Sequence, residues 1–599
     1  MKLQVAASVV ALFALNIACS ATGTDKGGTK GNGSGNQGSG ASTSSGGSPS
    51  INIGGDLALG GGIGTGATGT GGPQPETCEE AALGHTYVGC DFWPTITANP
   101  VYVEFDPAVV IANGSMSQAT VTIDGPNAFH QEVTIPAGGL ETVKLKWVPE
   151  LKGPEFSPTN TAGGRLEASA RVDGGAYHMV SSVPVTAWQF NPLQYTIPAG
   201  SCNRISADGC LSATNDASLL IPSTAMTGSY RVFGYSSKHE GKDWGTVPGG
   251  VAITATKANT QLQVQLGPRC GVQVWPTEML GTCVAAGPGV EAKMSGDILD
   301  FTMQAGDVVQ LVGAWAADPQ IKNADLSGTV VKTDDSTPVQ VIAFNAISQL
   351  PDASVANADH MEETVLPGEV LGKKYIVAPP ATPNGNDVGH VVRIYGNVDG
   401  TTLTYPEGKP DPSAPDTIDA GEVVQIPALP TGAPAPSCMT VPGNCMIKKP
   451  FVVEADQAFA VASFMVGGVL QMPGTDATNS MGDPGFSMQV TPEQFRKEYT
   501  FLAPTDYEKN FADLLVPTGA TVTLNGAAVA SAPTAIGNSG WGTLRLELTA
   551  DTGGIHKLTT DHEQGLGLQV MGFGYATSYY YPGGLNLERI SEPPVIVVK

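Results

Sequence analysis

The sequence predicts an all-β protein: tandem antiparallel β-sandwich modules behind a disordered Gly/Ser-rich N-terminal tether. Three observations carry that reading. Short runs of period-two alternation recur down to the C-terminus, among them Ala119–Asp124, Tyr230–Tyr235, Gln261–Leu266, Val308–Val312, Val339–Phe344 and Thr543–Leu548. β-Branched residues alternating with polar ones, bounded by Gly, Pro, Asn and Asp, are the pattern of strands with one buried face. An eight-residue unit repeats, Gln304–Leu311 (QAGDVVQL) against Asp419–Ile426 (DAGEVVQI), with an echo in Pro136–Leu145 (PAGGLETVKL). Helix signals are few: Thr77–Glu80 (TCEE) and Thr491–Gln494 (TPEQ) both read as capping boxes, each opening one short helix at a module end.

The first element is an address. Met1–Ala18 reads as an export signal, with Lys2 at its positive end and an apolar run over Val5–Leu15 too short to span a bilayer. Cys19 follows directly in Leu15–Ser20 (LNIACS), which resembles the lipobox of bacterial lipoproteins. That resemblance implies a lipidated Cys19 as the mature N-terminus and an outer-membrane or cell-surface location. Asn16 departs from the usual Leu of that motif; an ordinary cleaved signal would release the protein instead. Residues 19–75 form the tether. From Ser20 to Pro75 the chain holds 20 glycines, no aromatic residue and four charges, so nothing offsets the entropy of ordering it. A coil of that kind has a typical end-to-end distance of roughly 40 Å.

The β-modules come next, read at 76–195, 196–350, 351–475 and 476–599. A second shared unit, a strand, a polar turn and a strand ending in an aromatic, supports the division; it appears at 330–344, 451–464 and 556–573, and loosely at 170–188. Four modules fit a chain of 599 residues at roughly 150 residues per domain. The balance of Lys+Arg 30 against Asp+Glu 55 gives a net charge of −25. A strongly negative surface repels phosphate, and no Lys/Arg cluster reverses this locally, so nucleic acid is excluded as a partner.

Cysteines beyond Cys19 fall into neighbours: Cys78 and Cys90, Cys202 and Cys210, Cys270 and Cys283, Cys438 and Cys445. An exported chain meets an oxidising compartment, so four short-loop disulfides are the simplest expectation, although eight cysteines permit many connectivities. Zinc fails on spacing, since no C-x₂-C occurs and the His residues are scattered. Catalytic motifs are missing: no G-x-S-x-G, H-E-x-x-H, Walker loop or dinucleotide fingerprint stands in the modules. Asp359–Glu363 (DHMEE) and Asp561–Glu563 (DHE) join His to carboxylates but offer no helical His pair, and read as solvated turns. Asp334-Asp335 and Asp399-Gly400 read as turn chemistry, with no calcium-loop pattern around them. Neither metal nor cofactor is expected. Tyr575, Tyr579, Tyr580 and Tyr581 form the one aromatic cluster that could make a binding patch, with core packing as its alternative.

From about residue 188 to 590 the chain resembles the N-terminal domain of the IgGFc-binding protein family, relatives of which occur in bacterial, notably myxobacterial, surface lipoproteins. The residues that carry the resemblance are Val185–Leu193 (VTAWQFNPL), Leu220–Val232 (LIPSTAMTGSYRV), Asp359–Val377 (DHMEETVLPGEVLGKKYIV), Gly482–Phe486 (GDPGF), Thr491–Pro504 (TPEQFRKEYTFLAP) and Gly574–Gly584 (GYATSYYYPGG), in that order. The long Cys-rich repeats of the vertebrate protein do not appear in this sequence. The resemblance implies a binding module with no catalytic residues to transfer, and immunoglobulin binding itself is not carried over. The sequence is therefore read as a non-enzymatic surface protein that binds an extracellular protein or glycan, reaching the membrane only through its lipid. An envelope spacer without a ligand and an exported carbohydrate-active hydrolase are the rival readings.

Overall fold

The structure, a computed structural model, describes residues 74–596 except 156–165, 167, 199–209, 237, 241–244, 275–278, 316–323, 430–436, 476–478 and 550–552. The expected export signal, Cys19, residues 19–73 of the expected tether, and Cys202 lie outside the described residues. Among the described residues the longest helix is Cys78–Gly84, and no helix is long and apolar enough to cross a membrane. The first capping box forms: the Thr77 hydroxyl accepts the Glu80 N–H at 3.2 Å, and the Glu80 carboxylate accepts the Thr77 N–H at 3.1 Å. The second does not. Thr491 gives its hydroxyl to the Glu493 carboxylate, so Pro492–Gln494 makes a single 3₁₀ turn without a side-chain cap.

The strands pair antiparallel, and one arrangement recurs four times. A central strand lies between the strand after an Ala-Gly turn, or its counterpart, and a later hairpin strand. The central strands are Ala108–Ala112, Gly249–Ala255, Val391–Gly396 and Lys509–Pro517. Their neighbours are Leu140–Lys144 and His178–Phe190, Val308–Val312 and Val339–Ser348, Val423–Ile426 and Phe459–Phe464, Trp541–Leu548 and Gly567–Gly574. On the far side of each hairpin strand sits a fourth strand from further along the chain: Ala217–Leu219, Asp359–Thr364, Phe486–Met488 and Thr577–Pro582.

In the last three repeats a second sheet faces the first. The third is the clearest, with Lys374–Val377, Phe451–Ala455, Thr401–Thr404 and Thr417–Ile418 opposite. Alternate residues of both sheets, including Tyr375, Val377, Val392, Ile394, Phe451, Val453 and Val461, close into one apolar cluster. That is what the period-two pattern predicts, and each fully buried Val or Ile contributes roughly 1.5–3 kcal/mol. Among the predicted strands, Tyr230–Tyr235 is regular only over Ser229–Arg231. Beyond it the Gly234 carbonyl turns away to accept from Arg393 at 2.7 Å and the Tyr395 hydroxyl at 2.9 Å.

The repeated Ala-Gly unit is a turn with a defined job. Gly138, Gly306 and Gly421 all hold left-handed backbone, with φ of 68°, 85° and 77°. Each glycine donates its N–H to the carbonyl that ends the neighbouring central strand: Gly138 to Asn113, Gly306 to Ala255, Gly421 to Gly396, at 2.8–2.9 Å. Asn113, Ala255 and Gly396 return the bond to Gly139, Asp307 and Glu422, at 2.9–3.1 Å. The sequence echo at 136–145 is thus the same device.

A second recurrence escaped the sequence reading. Tyr230, Tyr375 and Tyr499 are buried, and each hydroxyl accepts the N–H three residues earlier, from Thr227, Gly372 and Arg496, at 2.9–3.2 Å. Each then donates to the carbonyl at or just before the start of a hairpin strand: Val339 at 2.7 Å, Phe459 at 2.8 Å, and Leu566. The signal was available as a Tyr that follows a Pro by seven or eight residues in all three segments.

The predicted disulfides Cys78–Cys90, Cys270–Cys283 and Cys438–Cys445 are formed, with Cα separations of 5.7, 5.3 and 5.8 Å. Cys210 is also disulfide-bonded.

Candidate functional site

The four outer strands do not stay apart. Ala217–Leu219 touches Asp359–Thr364, which touches Phe486–Met488, which touches Thr577–Pro582, which in turn touches Ala217–Leu219. Close by, the chain ends are zipped together: Thr86 bridges Asn586, and Leu587 donates its N–H to the His85 carbonyl at 2.8 Å. Covered from several sides, residues at this centre are buried whatever their polarity.

What they bury is carboxylate. Asp216, Asp359, Glu362, Glu363 and Asp483 are all at most 1% exposed. The sequence reading of Asp359–Glu363 as a solvated turn is therefore corrected: this is a strand buried along its whole length. Asp216 accepts backbone N–H groups of Ala217 at 2.9 Å and Tyr580 at 3.1 Å on one oxygen, and of Glu362 at 3.0 Å on the other. Asp359 accepts from His360 at 2.8 Å on one oxygen, and from the Thr577 hydroxyl at 2.8 Å and Ser578 N–H at 3.1 Å on the other. Glu362 takes the Thr97 hydroxyl at 2.7 Å, the Gln189 amide at 3.1 Å and the Asn191 amide at 3.2 Å, with His360 at 3.5 Å.

These bonds answer the cost of burying polar groups. Burial nevertheless pushes Asp216, Asp359 and Glu363 well above the ordinary carboxylate range, with the neighbouring carboxylates adding to it. Burial pushes Asp483 up to about 8. Chemically this is a carboxylate knot closed to solvent. Among the described residues, no group of three His, Cys, Asp or Glu side chains is placed to hold a metal ion. The other carboxylate motifs behave as turns. Asp561 is exposed and accepts the Thr521 N–H at 3.0 Å, while Asp334 accepts the Ser336 N–H at 2.9 Å.

The tyrosine patch is also corrected. Tyr579, Tyr580 and Tyr581 are at most 1% exposed, because their strand pairs with Gly567–Gly574 while lying against Ala217–Leu219 and Phe486–Met488. Tyr579 donates to Asn510 at 2.7 Å, Tyr581 donates to the Leu502 carbonyl, and Tyr575 is half-buried. Together they form core, not a rim for a ligand.

Open concavities lie elsewhere. One cleft of about 260 Å³ runs between the loop around Pro379–Asp387 and the strands carrying Asp513, Arg545 and Gln569. Arg545 is committed within it, to Asp513 at 2.7 and 2.9 Å, to Asp387 at 2.7 Å, and to the carbonyls of Gly385 and Pro379. A shallower groove crosses Gln261, Gln263, Asp300, Thr302 and Lys332. It adjoins a hollow lined by Asp335, Glu369 and Arg589.

A scan against protein families matches residues 216–572 to the family described as IgGFc binding protein. The chain belongs to the IgGFc-binding protein family. Its matched segment opens at Asp216 and takes in the carboxylates at the centre as well as all three buried corner tyrosines. No curated protein matches the chain. Two mutants of the major pilin from Streptococcus pyogenes align at 8% and 7% identity, covering 54% and 62% of this chain and 89% and 97% of theirs. Their TM-score of 0.09 carries no argument.

Proposed function

We propose that this protein is a non-enzymatic binding protein that recognises an extracellular protein, displayed at a cell surface by a lipid on Cys19 and the tether of residues 19–75. The family match over residues 216–572 carries the reading. The use made of reactive side chains supports it: the carboxylates at the centre are sealed, His390 is buried against Ser463, and Arg545 is saturated by its own neighbours. Recognition then falls to the exposed strand faces and turns of the modules at 76–195, 196–350, 351–475 and 476–599. Such interfaces spread over roughly 800 Å² per partner and need no deep pocket.

The test is an array of secreted proteins and glycans probed with the purified protein, with and without chelator. Saturable binding to a protein feature supports the proposal, glycan binding changes its ligand class, and silence on every feature favours a spacer. Mass analysis of the native N-terminus tests the anchor, since an unmodified start downstream of Cys19 refutes it.

A further inference from the structure

The centre where the four outer strands meet holds five carboxylates, and among the described residues no Lys or Arg is ion-paired with them. Among the described residues the one ion pair that reaches it is His360–Glu362, at 3.5 Å. The titratable groups facing it are few. Asp359, His360, Glu362 and Glu363 lie on one strand, Asp216 precedes the second, Asp483 precedes the third, and Tyr579, Tyr580 and Tyr581 lie on the fourth, with Tyr507 beside them.

The hydrogen bonds divide the acids into two kinds. Asp216 and Asp359 accept donors on both oxygens, bonds that offset part of the upward push of burial. Glu363 accepts the Thr364 N–H at 3.0 Å on one oxygen, while its other oxygen is buried without a partner. Asp483 accepts one backbone N–H, from Gly468 at 3.3 Å, and lies against Asn357. Glu363 thus has an oxygen free to carry a hydrogen, and among the described residues no Lys, Arg or His is ion-paired with Asp483. Asp483 also donates its N–H to the Ser578 hydroxyl at 2.8 Å, in the strand that Asp216 and Asp359 hold.

We propose that the centre is a proton-dependent latch: protons on Asp483 and Glu363 let the four outer strands pack together, and their loss places buried charge in a crowded cluster of carboxylates and loosens the junction. The direction follows from linkage. A buried acid holds its proton more tightly in the folded state than in the unfolded chain, so stability is highest below the unfolded value and falls as pH rises through the folded one. Ordinary surface carboxylates are fully ionised above pH 6 and add no slope there.

The experiment is denaturant unfolding of the wild-type protein at pH 6, 7, 8 and 9, alongside Asp483→Asn and Glu363→Gln, whose amides cannot ionise. With Asp483 titrating at about 8, its share alone is expected to raise the wild-type unfolding constant about a hundredfold from pH 6 to pH 9. Each variant should lose part of that rise and be relatively more stable at pH 9. A wild-type curve that is flat, or that climbs with pH, overturns the latch without help from any variant. So does a folded Asp483→Asn protein that keeps the full slope. If that variant fails to fold, the slope of Glu363→Gln decides in the same way.

Discussion

Replacing Tyr375 by Phe removes one oxygen and leaves the ring in place. That oxygen has two partners, the Gly372 N–H at 3.2 Å and the Phe459 carbonyl at 2.8 Å, and Tyr375 is 1% exposed. Neither partner gains water when the hydroxyl goes, so each stays buried and unpaired. An unsatisfied buried backbone group costs about 1–3 kcal/mol, so Tyr375→Phe, which leaves two, should destabilise by about 2–6 kcal/mol. The control is Tyr405→Phe, whose half-buried hydroxyl makes one bond, to the Pro415 carbonyl at 3.0 Å; its cost should be about 1 kcal/mol. Urea unfolding of both variants gives the comparison, and hydrogen exchange at Gly372 localises it, since 2 kcal/mol is roughly a thirtyfold faster opening. Equal stability of Tyr375→Phe and wild type, or no change in exchange at Gly372, would refute the corner as a structural device. Tyr230→Phe and Tyr499→Phe should behave alike, because their bonds are the same.

Three further outcomes follow from other sites. Gly421→Ala should cost more than Gly306→Ala in thermal unfolding: both pay about 1–2 kcal/mol for a left-handed backbone, but at Gly421 the new Cβ also stands 2.8 Å from Pro268 Cδ, whereas at Gly306 it meets nothing nearer than 3.5 Å. Arg545→Met should cost about 1–3 kcal/mol by leaving the largely buried Asp513 carboxylate, 14% exposed, without its partner, and adding Asp513→Asn should recover much of that loss; a double variant no better than the single one counts against the ion pair. His390 is held near pKa 3 by burial, so the folded state resists its protonation; because the buried acids of the centre change stability in the opposite direction over the same range, the effect is read as a difference, wild type losing about 2 kcal/mol relative to His390→Asn between pH 6.5 and 4.5. A difference that stays constant over that range contradicts this.

The legible parts of the molecule were those where a residue type answers a local demand. Gly306 and Gly421 stand where the backbone is left-handed, so the turn they make could be seen as a repeat before its geometry was known. Thr77 and Glu80 satisfy each other over three residues, and the helix start was legible for that reason. Cysteines 7 to 13 residues apart meet because few other partners are near. The centre was illegible for the opposite reason. Asp359–Thr364 (DHMEET) is as polar as a surface turn, and its burial is imposed by segments up to 265 residues away. Thr97 and Gln189 bind Glu362, and Thr577 binds Asp359. No period-two rule finds a strand whose two faces are both covered by other parts of the chain. The tyrosines at 579–581 were misleading in the same way: aromatic rings on a terminal strand suit a rim or a core equally, and only the strands packed on them decide.

The exchange of strands constrains how any binding surface is presented. Ala217–Leu219 completes the sheet built on His178–Phe190, while Ala170–Val172, earlier in the chain, pairs with Val308–Gln310. A cut anywhere between residues 173 and 216 would strip an edge strand from the sheet on each side and bare the Trp188 and Val309 faces they help to cover. Arg231 adds a second tie, reaching Asn397 at 3.1 Å, and Arg393 reaches Asp325 at 2.9 Å from the other direction. Residues on consecutive repeats are therefore held in fixed register by backbone pairing and by buried guanidinium groups, which costs conformational freedom once, at folding. A partner that bridges two repeats would not pay that entropy again on binding, so more of the contact energy would remain as affinity.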